Sequence, residues 1–478
     1  MVRIKPGPHN HGRGRSTMRA SMHHFVAWPP TPRNKEFDPP MDKQHPQQQW
    51  REAVIAHAEA INRYVAQGRA QGWDNLEEPQ APTTEHLLDA WLAALRAINR
   101  PGVDPAQRQL FREAWPPAHL PLVPLFEEQA QGIGNLLLLD DGSLLARIGM
   151  PFDRGQVLRI DDQGVTPVIG VEHFGRCPQR RYYALANAEG VRVTDGWGGP
   201  QVARLAWPHG LEGLPAGYPF DPLDLPPIPT ALLPFPDGQR VLLVSSDGIF
   251  VLAADGATRL LPREDEILDD LRRGTDPDDI VLGLAMEHAA LSPDGRLIAL
   301  GEQCGRHLVL DEQFKPIAEV GPASEYPHFA LFNRRGDQLI LNACHFYRGG
   351  TVGVRVADLQ GLDTGFYSED PRTPLLQDGA RIYAGVTRDG EYIVGDAHGY
   401  LRAFGEDGSE HWQHYLGSTI SAMDISADGR TLAVASHAGF ISLIALDSGR
   451  PQWQIGTGAH GEVRRWVCWK GFEQPLAW

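Results

Sequence analysis

The sequence lacks any run of eighteen apolar residues, which excludes a membrane-spanning helix. Cysteine is scarce. Cys177, Cys304, Cys344 and Cys468 are the only four in 478 residues, and none forms a Cys-x-x-Cys pair. That argues against a disulfide scaffold and a structural zinc site, and it points to reduced, mostly buried thiols in a cytoplasmic protein. There is no Gly-x-Ser-x-Gly elbow, no Walker loop, no His-Glu-x-x-His helix and no kinase signature. The Asp-x-Asp-x-Asp-Gly spacing of a calcium loop is absent as well. No catalytic residue, cofactor or metal is therefore expected, and the chain reads as a non-enzyme.

Acidic residues are missing from the first 35 positions, which carry seven cations: Arg3, Lys5, Arg13, Arg15, Arg19, Arg33 and Lys35. Net charge is −16 overall, so the remaining residues carry −23. A body this acidic repels nucleic-acid phosphates and attracts basic partners over long range. The N-terminal stretch has no apolar h-region, so it is not a secretory signal. Its prolines 29, 30, 32, 39, 40 and 46 predict an extended or disordered arm over 1–45. Met22 and Met41 stand as alternative initiators. Histidines 9, 11, 23 and 24 offer at most weak metal contacts within that arm.

Glycine (51) and proline (39) are plentiful, which suits a fold made of many tight turns. A short helical segment is expected first, over 46–118. Trp50, Val54, Ile61 and Val65 stand four, seven and four apart and predict a helix over 47–68. Residues 84–99 predict a second helix. A third starts at Asp104-Pro105, a capping residue followed by a proline at the first helical position, and stops before Pro116-Pro117.

Beyond Pro117 the pattern changes to short apolar runs of period two, punctuated by Asp-Gly. Residues 420–449 read as strand, Asp428-Gly429 turn, strand, Gly439 turn, strand, Asp447-Ser-Gly449 turn, with 452–456 as a fourth strand. Residues 387–416 repeat that order. The first-turn marker recurs at Asp141-Gly142, Asp237-Gly238, Asp294-Gly295, Gly336-Asp337 and Asp389-Gly390, and a weaker unit fills 173–207. Asp-Gly suits a type I′ hairpin with two positive φ angles. Seven four-stranded antiparallel units cannot each bury two faces alone, but they can cover one another around an axis. The expectation is a mainly β chain: a seven-bladed β-propeller of four-stranded antiparallel blades over 119–460. A Trp-rich tail over 461–478 (Trp466, Trp469, Trp478) then either adds a sealing strand or packs on the helices.

The chain resembles the WD40-like propeller superfamily at Glu287-His288-Ala-Ala-Leu-Ser292-Pro-Asp-Gly295, Ser426-Ala-Asp-Gly429, Ser245-Ser-Asp-Gly248 and Ser436-His-Ala-Gly439. The resemblance spans roughly 120–460 and implies a fold, not an activity. Leu446-Asp447 stands where that family carries Trp-Asp, which implies a degenerate propeller. The stretch from Glu406 to Trp412 is also similar to quinoprotein-type propellers, without a cofactor pattern. In overall layout, with no motif behind it, the chain resembles propeller-type bacterial immunity proteins against contact-delivered toxins.

Two clusters are candidates for partner binding. His345, His398 and His437 fall at the turn between the second and third strands of three successive blades, hence on one face. The insertion 262–280 holds Glu264, Asp265, Glu266, Asp269, Asp270, Asp276, Asp278 and Asp279 against only three arginines. Ile267, Leu268 and Leu271 make it a short acidic helix, and long insertions in compact domains are often functional. A solvated loop is the alternative. The proline-rich insertion 208–229, with Tyr218 and Phe220, either lines the same rim or is a rigid proline-rich connector. Cys344-His345 are adjacent on a strand end, where neighbouring side chains point apart, so they do not form a dyad.

These features favour a non-catalytic propeller that binds a basic protein; the specific version is a cognate toxin, such as a nuclease, that it neutralises. The alternative is a propeller hydrolase, lyase or quinone-dependent dehydrogenase with chemistry at the central channel. Glu172-His173 and Glu287-His288 are its best candidates.

Overall fold

The computed structural model describes residues 45–478 apart from 151, 153, 154, 162 and 163, and apart from the side chains of 105 and 127. The basic arm expected over 1–45, with its histidines, lies outside the described residues up to position 44. Seven separate sheets follow one another along the chain. They span 133–167, 173–205, 229–261, 288–320, 326–378, 382–415 and 420–467, and are called blades 1 to 7. In each, four strands pair antiparallel in chain order. The first strand of every blade touches the first strands of the blades before and after it, blade 7 with blade 1 included. The first strands therefore line the axis, and the molecule is a seven-bladed β-propeller.

The sequence pattern accounts for this packing. Second strands such as Leu144–Ile148 and Val241–Ser245 are buried at every position, because both faces of each inner strand are covered by a neighbouring blade. Apolar clusters accordingly join adjacent blades. One unites Leu136, Ala146 and Leu158 of blade 1 with Ala433, Ile441 and Trp466 of blade 7. Closure of the ring rests on that packing and on buried polar contacts. Asp424 of blade 7 accepts from the Leu138 backbone N–H of blade 1 (2.6 Å) and pairs with Arg176 of blade 2 (2.7 Å). Among the described residues no strand is exchanged between the first and last blades.

The Asp-Gly turns form, but not as type I′. Only the glycine takes a positive φ, as at Gly295 (73°) and Gly429 (70°). The aspartate stays on the negative side and its carboxylate accepts a backbone N–H two residues on: Arg296 N–H to Asp294 (3.1 Å), Arg430 N–H to Asp428 (3.0 Å). An aspartate earns its place here by mimicking a turn with its side chain, so it need not visit the left-handed region itself.

Two expected boundaries shift. Helices Pro46–Gln71 (α1), Leu88–Ile98 (α2) and Pro105–Ala114 (α3) are followed by a fourth, Val123–Gln129 (α4), so helical structure runs past 118. At the other end, 452–456 is not the fourth strand of blade 7. That strand is Gly461–Val467, and Leu476–Ala477 adds a fifth. The stretch after Ala445 reads as a strand from composition but turns at Pro451, and its Gln454 side chain is drawn inward to donate to the His460 carbonyl.

The three tail tryptophans pack rather than seal. Trp469 and Trp478 join Trp50, Trp91 and Trp115 of the helices in one cluster, and Trp466 sits between blades 7 and 1. Trp50 stacks on Trp91 (6.1 Å), which meets Trp478 at 5.0 Å. Beside them Arg112 of α3 donates to the Trp478 carbonyl (2.7 Å), the Glu462 carbonyl (2.8 Å) and the Glu462 carboxylate (3.0 Å). Arg465 grips the same carboxylate through two nitrogens, at 3.0 and 2.7 Å. Burial alone would raise the Glu462 pKa, but the two guanidiniums outweigh it and hold the group below its ordinary value.

Candidate protein-interaction face

In an antiparallel blade the second and fourth strands run the same way. The turn after the second strand and the connector leaving the fourth therefore emerge at the same end of the propeller, here called the upper face. Both long insertions are such connectors, residues 206–228 and 262–287. His345, His398 and His437 lie at turns of this face on blades 5, 6 and 7. They are not in direct contact with one another. Aromatic rings stand between them: Tyr347 lies 5.4 Å from His398, and Tyr383 6.0 Å from His437.

Those rings belong to a belt of separate aromatic groups on this face, which the sequence pattern does not single out. Tyr326 stacks on His345 (6.3 Å), which meets Phe346 edge-on at 4.5 Å. Phe366 and Tyr367 join it from an unexpected detour. Between its third and fourth strands, blade 5 sends Leu362–Thr364 across to blade 4 as a parallel fifth strand, which delivers the two rings to the upper face. There the Tyr367 N–H donates to the Pro322 carbonyl (3.0 Å). Phe346 is 72% exposed and Tyr367 59% exposed. Both hold positive φ, 52° and 57°, which bulky side chains rarely adopt. One available signal was the doublet Phe346-Tyr347, which occupies a hairpin turn where Asn, Asp or Gly is usual.

Within the belt lies Arg381, at the upper end of the first strand of blade 6. Its Nη1 donates to the Phe346 carbonyl (3.3 Å), its Nε faces His328 Nε2 (3.5 Å), and its guanidinium lies over the Tyr383 ring (4.8 Å). Behind it stand three histidines. His288 Nδ1 donates to the Met286 carbonyl (2.9 Å), so its Nε2 accepts from His307 Nδ1 (3.0 Å). Burial holds His288 down at about 4 and keeps His307 and His328 well below the ordinary imidazole value; Arg381 depresses His328 further. All three are therefore neutral near pH 7. Among the described residues no group of three His, Cys, Asp or Glu side chains could hold a metal ion.

The acidic insertion forms helix α5, Glu264–Arg272, seated by buried Ile267. Much of its charge is spent locally. Asp265 pairs with Arg263 (2.9 Å), Asp269 with Arg272 (2.9 Å) and Asp270 with Arg273 (2.6 Å), while Glu266 and the Arg263 backbone complete a cap. Asp276 caps the following 3-10 turn through the Asp278 N–H (3.1 Å). Among the described residues, Glu264, Asp278 and Asp279 have no cationic partner and remain available. The connector 206–228 adds exposed Leu211, Tyr218 and Leu225 to the same face.

Of the pairs considered for catalysis, Glu287-His288 is otherwise engaged. His288 is in the imidazole chain and Glu287 accepts from the Thr230 hydroxyl. His173 is mostly buried and held down to about 4 by that burial and by Arg147. Cys344 is buried and His345 exposed, so their side chains leave opposite faces of the strand.

No protein-family model matches the chain, and no curated protein matches it either. Solved structures do. The Myceliophteria thermophila Cps50 (Swd1) β-propeller domain aligns over 64% of this chain and 95% of its own, at 14% identity and a TM-score of 0.44. KlHsv2 with loop 6CD replaced by a Gly-Ser linker aligns over 70% and 99%, at 10% identity and a TM-score of 0.39. The architecture assigned above stands on strand pairing, independently of these likenesses. No helix among the described residues is long and apolar enough to cross a membrane.

Proposed function

We propose that the protein is a non-catalytic binding scaffold whose upper-face aromatic belt docks a protein partner. One observation carries this reading: Phe346 and Tyr367 are held out into solvent, in a backbone conformation unfavourable for them, on a face that carries several further aromatic rings. Exposed aromatic patches cost solubility and are enriched where proteins meet. Left-handed aromatic residues persist only where the surrounding structure enforces them. His345, His398 and His437 supply the polar spacing between the rings. Glu264, Asp278 and Asp279 of the acidic insertion form a second contact on the same face.

The finer reading, that the partner is a basic toxin and the protein its cytoplasmic immunity factor, rests on the net charge of −16. That field would speed encounter with a basic protein. The test is cross-linked affinity capture with the full chain, comparing wild type, a Phe346→Ser/Tyr367→Ser variant and a Glu264→Gln/Asp278→Asn/Asp279→Asn variant. The belt variant should lose the captured partner, and the acidic variant should slow its association. Equal capture by wild type and belt variant would overturn the docking site.

A further inference from the structure

Arg381 lacks the carboxylate partners of two other half-buried arginines of this face, while a third, Arg259, directs its donors to the Gly210, Glu212 and Asp247 carbonyls. Arg263 and Arg306 each meet carboxylates, Arg263 at Asp265 and Arg306 at Asp363 and Glu319. Among the described residues no carboxylate lies within 4 Å of Arg381. Its contacts are a carbonyl, a neutral imidazole and a phenol ring. The proton bookkeeping behind it is closed as well. Because His328 Nε2 accepts from Arg381, its proton sits on Nδ1, which is buried and has no partner. At the far end His307 presents a bare, buried Nε2, also without a partner. His328 therefore orients the guanidinium without neutralising it. A planar, fixed fork of donors carrying an uncompensated charge, flanked by exposed rings, matches a carboxylate in charge and in geometry.

We propose that Arg381 is the anchor for a carboxylate of the bound partner: the belt takes an extended peptide segment with an aspartate or glutamate set between apolar residues. This rests on the belt being the docking surface. It also separates two roles of charge. The acidic body steers approach over a distance, while the anchoring contact itself takes an acid.

The experiment is selection of a random twelve-residue peptide library on the full-length chain. Retained peptides are then synthesised with each acidic residue changed to its amide, and their affinities measured by calorimetry against wild type, Arg381→Lys, Arg381→Gln and Phe346→Ser. Circular dichroism and melting curves check that each variant is folded. Retained peptides should carry an acid between apolar residues, and the amide change should weaken binding by about tenfold or more, the scale of one charge-assisted hydrogen bond. Arg381→Gln should erase the difference between acid and amide peptides, and Arg381→Lys should keep part of it. Phe346→Ser should weaken both peptides equally. Peptides that need Phe346 but ignore the acid-to-amide change would overturn the anchor and leave the docking surface standing. Peptides that bind irrespective of Phe346, or no retained peptide at all, would remove both.

Discussion

The aromatic residues of this protein are divided between two places with opposite surroundings. Against blade 7, Trp50, Trp91, Trp115, Trp469 and Trp478 form one cluster, each 2% exposed or less. On the upper face Phe346, Phe366 and Tyr367 stand largely in water. The buried indoles find partners for their polar tips where the fold allows: Trp50 Nε1 donates to the Pro116 carbonyl (3.0 Å) and Trp478 Nε1 to the Trp115 carbonyl (2.7 Å). The exposed rings bury far less than the indoles, and two of them hold positive φ. The first group binds helices to propeller, and the second contributes little to folding, which leaves it free for recognition.

Substitutions can break that comparison, and the largest effect belongs to the cluster. Trp91→Ala should destabilise by about 3–5 kcal/mol, because it removes a fully buried ring and opens a cavity. Chemical denaturation should show a lower midpoint. An unchanged midpoint would mean that the helices are not part of the cooperative unit. Glu462→Gln, in the adjacent polar cluster, leaves Arg112 and Arg465 without their shared carboxylate. A loss of about 3 kcal/mol is expected by the same measurement.

Acid should act next, through the buried imidazoles, His119, His173 and His414 as well as those behind the belt. His288 has a folded-state value of about 4 against an ordinary 6.5, so below 6.5 the unfolded chain binds the extra proton first. Stability is complete above that value and falls as pH drops towards about 4. Between pH 7 and pH 5 most carboxylates stay ionised, so the decline there belongs to the histidines. It should shrink in His288→Gln. A melting temperature independent of pH over that interval would contradict the neutral chain.

The smallest effect sharpens the contrast. Phe346→Gly should change stability by no more than about 0.5 kcal/mol, since the lost ring buried little and glycine tolerates the φ of 52°. Peptide binding should nevertheless collapse. A large destabilisation would show that Phe346 is structural after all.

Much of the fold was legible, because alternation and turn chemistry are local. Six units could be counted from Asp-Gly or Gly-Asp markers and a seventh, 173–207, from its strand pattern, and α1 to α3 from apolar spacing and the Asp104-Pro105 start. The misplaced fourth strand of blade 7 shows the limit. Residues 452–456 have strand-like composition, but Gly461–Val467 wins the edge because Trp466 and Glu462 find partners in neighbouring elements that composition cannot register. The candidate site was legible only in part. Counting turns puts the three histidines on one face, and their role there is a proposal. The acidic insertion was noticed, but not that Arg263, Arg272 and Arg273 absorb much of its charge.

What the sequence determined by itself is the repeated sheet and hence the propeller, since each blade's pattern of apolar faces requires neighbours on both sides. Only the tertiary structure decided which aromatics are buried and which are presented. That depends on which blades and connectors converge at a given point. Phe346, Phe366 and Arg381 lie in different loops, with chemistry that becomes a surface only when the ring closes.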